Sequence, residues 1–177
     1  LNYRLAGEVI GAADEVVPMI LKGGGIKNTL IISPPGAGKT TMLRDIVRQL
    51  SYKSYRVSVV DERSEIAALC EGRSAFDLGF STDVLEGVDK AEGMLMVLRS
   101  MSPDVIVTDE IGKQSDIDAI ERITNSGAAV IATIHGRNID MIKRRDDLKR
   151  MLKFFDLIIT LSKRKGIGTV EEALTEW

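Results

Sequence analysis

The 177-residue sequence holds a single cysteine, Cys70, so it has no disulfide framework and fits a reducing compartment; the cytoplasm is the expected location. No apolar run approaches the roughly 18 residues of a membrane span, so direct membrane insertion is not expected. Net charge is also scarce. The 24 Lys and Arg against 26 Asp and Glu leave −2, which gives no electrostatic reason to wrap nucleic acid or to lie on an anionic surface. Internal repeats, low-complexity tracts and a signal-peptide pattern are missing, and so is an initiator Met. The chain opens on Leu1 and reads as a piece, the C-terminal domain, of a longer protein. What is present, 44% hydrophobic and 28% charged residues, suits one globular domain over 1–177 with a substantial core.

Residues 28–41, N-T-L-I-I-S-P-P-G-A-G-K-T-T, carry the first chemical signal. Positions 29–32 are β-branched or apolar and stop before Pro34-Pro35, which predicts a buried strand. Gly36 and Gly38 free the backbone to curl round an anion, and a helix over 41–51 would point its unpaired N–H groups and positive dipole end into that curl. Lys39 adds a mobile charge for β- and γ-phosphates, and the Thr40 hydroxyl is a hard ligand for Mg²⁺. Pro35, Gly36, Ala37, Gly38, Lys39, Thr40 and Thr41 are thus the expected nucleotide-binding residues. The pattern G-x-x-x-x-G-K-S/T asks for glycine where Ser33 stands, a departure that the neighbouring turn residues can absorb. A Gly/Pro turn with an accidental Lys-Thr is the bland alternative, and the complete strand-loop-helix context disfavours it.

Before that loop, residues 1–10 suit a strand or extended lead-in, and 12–21 has helical spacing that ends in Gly23-Gly24-Gly25. After it, a strand over 56–60 runs into Asp61-Glu62-Arg63, charge at the edge where open parallel sheets hold ligands; Asp61 or Glu62 is expected to tune a metal shell or share a water. Residues 72–90 lack periodicity and read as a long loop, followed by a helix over 91–102. The strand 104–110, D-V-I-V-T-D-E, ends in acid some seventy residues after the glycine loop. Asp109 there can complete a magnesium shell through water, and Glu110 can polarise a water for attack on the γ-phosphorus.

A helix over 115–126, capped by Ser115, leads to a strand over 128–134 that delivers His135, the one histidine. A solitary histidine is more often an ordinary packed or surface side chain, but this strand-end position favours a neutral donor or sensor near the γ-phosphate. Residues 138–153 are basic on one side and apolar on the other, with Asp140, Asp146 and Asp147 interleaved, which fits a solvated face or subunit contact better than a nucleic-acid surface. A strand over 154–161, a basic glycine-containing turn over 163–169 and a terminal helix or tail over 171–177 complete the order.

Five apolar strands with helices between them predict a parallel, doubly wound α/β sheet. The stations S-P-P-G-A-G-K-T-T, V-V-D-E-R-S-E-I, M-S-P-D-V-I-V-T-D-E-I-G and A-V-I-A-T-I-H-G resemble the Walker A, Asp-box, Walker B and His-box of type II and type IV pilus and secretion ATPases. The runs D-E-R-S-E-I, T-D-V-L-E-G, K-A-E-G-M, R-S-M-S-P-D-V-I-V-T-D-E-I-G and G-T-V-E-E resemble more closely the stage III sporulation protein AA family of endospore-forming bacteria, over residues 2–172. That resemblance implies a RecA-like P-loop NTPase with helices on both faces and strand order 5-1-4-3-2, which brings His135 beside the γ-phosphate. It further implies ATP and Mg²⁺, a hexameric ring of identical subunits, an N-terminal domain that this chain lacks, and a seat on the mother-cell cytoplasmic face of a membrane channel whose proteins are partners. Arginines of such rings reach towards the phosphates. Lys113 stands after Ile111-Gly112 where arginine is expected, and lysine is a poor substitute for a planar fork, which leaves Arg63 and Arg99.

The expected activity is Mg²⁺-dependent ATP hydrolysis, with Glu110, His135 and Glu62 as catalytic candidates and Thr40 and Asp109 at the metal. An ATP-binding scaffold with little turnover and a nucleic-acid translocase using 143–150 are the rivals. A small-molecule kinase fits less well, because Asp109-Glu110 followed by a strand ending in His135 suits water as the acceptor.

Overall fold

Residues 9–177 are described by a computed structural model. Turns over 10–16 close into α1 (Val17–Ile20), followed by β1 (Thr29–Ser33), α2 (Lys39–Tyr52) and β2 (Val57–Asp61). A two-residue hairpin, β3 (Leu69–Cys70) with β4 (Arg73–Ser74), precedes β5 (Thr82–Glu86), α3 (Lys90–Ser100) and β6 (Val105–Thr108). Then come α4 (Gln114–Asn125), β7 (Ala129–His135), α5 (Ile139–Lys143), α6 (Asp146–Lys149), β8 (Leu157–Ser162) and β9 (Thr169–Leu174).

Seven strands form one sheet in the order β5-β2-β6-β7-β1-β8-β9, with every neighbouring pair parallel except β8 and β9. The five expected strands keep the expected order, and one further strand extends each edge. Alternation sends successive side chains to opposite faces, so a strand covered on both sides must be apolar throughout. Leu30, Ile32, Ile106, Val130 and Ala132 pack on one face with Ile117, Ile120 and Ile123 of α4 and Met94 and Val97 of α3. Ile31, Val57, Val59, Val107 and Ile131 pack on the other with Met42, Leu43, Ile46 and Leu50 of α2. Helix α3 lies unusually close to the sheet at Gly93, where an added Cβ would come within 2.8 Å of Val60 and Val88 side chains.

Several local expectations are corrected. The helix expected over 12–21 shrinks to Val17–Ile20, because Pro18 has no N–H to continue a ladder started by the turns before it. The 72–90 loop contains β5, hidden in the sequence because an edge strand of half-exposed residues, T-D-V-L-E, shows little apolar pattern. The terminal helix or tail expected over 171–177 instead belongs, as far as Leu174, to β9, also an edge strand, with Glu171 and Glu172 exposed. Helix α4 starts one residue earlier than Ser115; the Asp116 carboxylate, accepting from the Gly112 and Lys113 N–H groups, fastens its start. The single amphipathic stretch over 138–153 is broken into α5, α6 and a 3-10 turn. The lead-in over 1–10 lies almost wholly outside the described residues.

Gly93→Leu should lower stability by about 1–3 kcal/mol even though leucine favours helix more than glycine, because the α3–β2 gap is already filled. Urea denaturation checks this, as a lower midpoint with an unchanged slope.

Candidate active site

Parallel pairing brings the ends of β1, β2, β6 and β7 to one sheet edge. Ser33 is aligned with His135, Thr108 with Ala132, and Val60 with Thr108. The glycine loop springs from β1, with Gly36 at φ 67° and Gly38 at φ 88°, a left-handed backbone that favours glycine. Gly38 immediately precedes α2, whose first N–H groups have no helical partner and face the loop. Lys39, Thr40 and Thr41 open that helix half-buried, while Pro35 and Gly36 are exposed.

The turn between β8 and β9 lies against this loop. The Gly168 N–H donates to the Ala37 carbonyl at 3.0 Å. Ile167 and Gly168 sit within 2.8 and 3.2 Å of where a Gly38 Cβ would stand, and Lys163 Nζ is 3.0 Å from the same point on Gly36. A cavity of about 510 Å³ opens between this turn and residues 11–15.

Next to the loop is a net of charge. Lys39 Nζ is 3.3 Å from Glu110 Oε1, and the Arg63 guanidinium donates to Glu110 Oε2 at 2.9 Å. Glu110 has φ 35°, a left-handed conformation that costs about 1–3 kcal/mol in a residue other than glycine. Its N–H donates to Thr133 Oγ1 at 2.8 Å, and its carbonyl accepts from Lys90 Nζ at 3.2 Å. Burial alone would raise the Glu110 carboxyl, but Lys39 first, then Arg63 and Lys90, outweigh it and hold the group below the ordinary glutamate range. Asp109 is buried, with Oδ1 3.1 Å from Lys90 Nζ but not aligned with any hydrogen-bond donor.

Among the described residues no three acidic, histidine or cysteine side chains gather into a metal cage. Thr40 and Asp109 are hard oxygen donors of the kind that magnesium takes alongside waters and phosphate oxygens, and Asp109 Oδ1, although near the Lys90 ammonium, accepts no hydrogen bond.

The remaining candidates divide. Glu62 reaches Lys90 and Lys113, each at 3.7 Å, and Lys113 pairs with Asp89 at 3.2 Å. His135 is exposed at the end of β7 beside the start of the loop. Asp61 is committed elsewhere: its carboxylate accepts the N–H groups of Glu65, Ile66 and Ala67 at 2.8–2.9 Å and so shapes the turn after β2. Arg99 does not join the group within this chain. It lies nine residues along α3 from Lys90, roughly 14 Å of helix, and donates to its own helix at Leu95.

The family described as Sporulation stage III, protein AA matches residues 1–176. The chain belongs to the stage III sporulation protein AA family. It is 40% identical to the Stage III sporulation protein AA of Bacillus subtilis (strain 168) over 97% of its own length and 58% of that relative's. Among solved structures it resembles the ATPase DotB of Legionella pneumophila, with a TM-score of 0.63 and 20% identity, covering 86% of this chain and 46% of that one. It likewise resembles the VirB11 ATPase of the Brucella suis type IV secretion system, with a TM-score of 0.65 and 15% identity over 91% and 50% of the two chains. At such identities the likeness speaks for a RecA-like fold shared with secretion ATPases. No described helix is long and apolar enough to cross a membrane.

Two residues of the site escaped sequence reasoning. Lys90 follows the helix-capping Asp89, and a lysine in a first helical turn opposes the dipole, which is the signal that could have found it. Thr133 is a hydroxyl in an otherwise apolar buried strand, A-V-I-A-T-I.

Because Glu110 is held below its ordinary range, the stability its pairs supply is complete above the unfolded-state pKa and is lost as pH falls through the lower folded value. The stability difference between wild type and Glu110→Gln should therefore shrink on acidification, read by denaturant unfolding from about pH 7 to about pH 3. Glu110→Gly should be about 1 kcal/mol more stable than Glu110→Ala, since only the former relieves the positive φ; thermal melting of the two variants decides.

Proposed function

We propose that this domain hydrolyses ATP with Mg²⁺ and works as the motor or assembly engine of a membrane-associated sporulation complex. The observation that carries the reading is the contact of Lys39 with Glu110 beside the buried Asp109, directly below a glycine loop that opens a long helix. In this reading the loop N–H groups from 36 to 40 and Lys39 hold the phosphates. Lys39 and Arg63 are the natural counterions of an entering triphosphate, and their turn towards it frees the Glu110 carboxylate to orient a water and accept its proton. Magnesium supplies charge neutralisation at the β- and γ-phosphates, held by Thr40 and, through water, Asp109. His135 follows the γ-phosphate from the end of β7, and Glu62 supports the acid cluster. The 510 Å³ cavity beside the 165–170 turn is large enough for a nucleoside.

Homo-oligomerisation as a hexameric ring, contact with channel proteins and a cytoplasmic place at a membrane belong to the same proposal, supported by family membership and by the likeness to secretion ATPases. The chain spans 58% of the length of the Bacillus subtilis relative. One observation favours a second reading, an ATP-binding scaffold with little turnover: Glu110 is paired with two cations, and a carboxylate so held is a weak proton acceptor.

Phosphate release separates the two. Lys39→Ala should abolish binding of a fluorescent ATP analogue, whereas Glu110→Gln should bind it normally and release phosphate at least about 10²-fold more slowly. Wild-type binding without phosphate release would favour the scaffold, and full turnover by Glu110→Gln would move the base role to Glu62.

A further inference from the structure

We propose that Lys90 is a positioning residue that fixes the Asp109-Glu110 pair, a role that rests on the hydrolytic reading above. Its side chain is 6% exposed, at the very start of α3, where the positive end of the helix dipole makes an ammonium unfavourable. A lysine retained there needs compensation, and three groups supply it: Asp109 Oδ1 at 3.1 Å, the Glu110 carbonyl at 3.2 Å and Glu62 Oε2 at 3.7 Å. The compensation is mutual, because Asp109 is itself buried and an unpaired carboxylate there would be costly.

The contact to the Glu110 carbonyl adds a geometric function. Glu110 sits in a strained left-handed backbone, which persists only where its surroundings over-determine it. Thr133 holds the N–H side of that residue, and Lys90 holds the carbonyl side. Between them they set the direction in which the Glu110 side chain leaves the backbone. One ammonium therefore pins the carboxylate assigned to the metal's water shell and the main chain of the residue assigned to the attacking water. Lys39 and the glycine loop, which hold the phosphates, are untouched by it.

The test uses Lys90→Met, Asp109→Asn and the double variant. In protein free of nucleotide and metal, Lys90→Met should lower the melting temperature by about 10 °C, and adding Asp109→Asn should restore at least half of that loss, because the uncompensated charge is gone. In turnover assays Lys90→Met should lose about 10²-fold in kcat with the KM for ATP unchanged, the signature of misplaced groups in a site that still binds. A melting loss that Asp109→Asn fails to relieve, an unchanged kcat, or a loss of ATP binding along with turnover would each overturn the proposal. If Lys90→Met does not fold, a folded double variant supports the pairing and an unfolded one refutes it. Wild-type protein that releases no phosphate would sink the hydrolytic reading instead, and the melting cycle would still judge the contact between Lys90 and Asp109.

Discussion

The common direction of β1, β2, β6 and β7 is the constraint on which the site depends. Each parallel strand delivers its last residue and the turn that follows to the same edge, so the loop after Ser33, the turn after Asp61, the acids after Thr108 and the histidine closing β7 arrive together although the sequence separates them by up to about a hundred positions. Their spacing along that edge is fixed by strand separation, close to 5 Å per step. Both faces of these strands are packed, so a slip by one residue would exchange the two cores and is strongly opposed.

Electrostatics supply the second layer. Glu62, Asp89, Asp109 and Glu110 interlock with Lys39, Arg63, Lys90 and Lys113, carboxylate against cation in equal number. The members differ in burial: Lys90 and Asp109 are enclosed, whereas Arg63 and Lys113 are about 60% exposed and contribute little as isolated pairs. In the proposed reading, a polyanion entering this balanced net would compete with Glu110 for the mobile cations and leave the enclosed pair in place. The net thus has a fixed inner part and an adjustable outer part.

Much of this was legible in the sequence wherever burial imposed a pattern. The strands of the sheet interior, the glycine loop and Asp109-Glu110 follow from apolar runs and the residues that end them, whereas the order of the five central strands came from the family resemblance. The misses have two causes: β5 and β9 are edge strands whose outward residues obey no apolar rule, and Pro18 shortens a helix that periodicity alone would extend. Long-range pairing was illegible for a different reason. Nothing at position 61 distinguishes a carboxylate that binds three backbone N–H groups from one that faces a ligand, and nothing at position 90 announces its partner 19 residues later. Such roles are decided by the approach of distant backbone segments, which a single sequence does not encode locally.

The docking of the 163–168 turn onto the glycine loop has a mechanical consequence. β9 is joined to the sheet through β8 alone, and the turn between them is stitched to Ala37 by the Gly168 N–H and wedged against Gly38 by Ile167. Traction applied to the C-terminal strand is therefore handed on to the backbone that opens α2, like tension passed along a tendon to its insertion. A neighbouring molecule that grips this border of the sheet gains a direct pull on the loop 36–38 without approaching the acid cluster on the far side of β1.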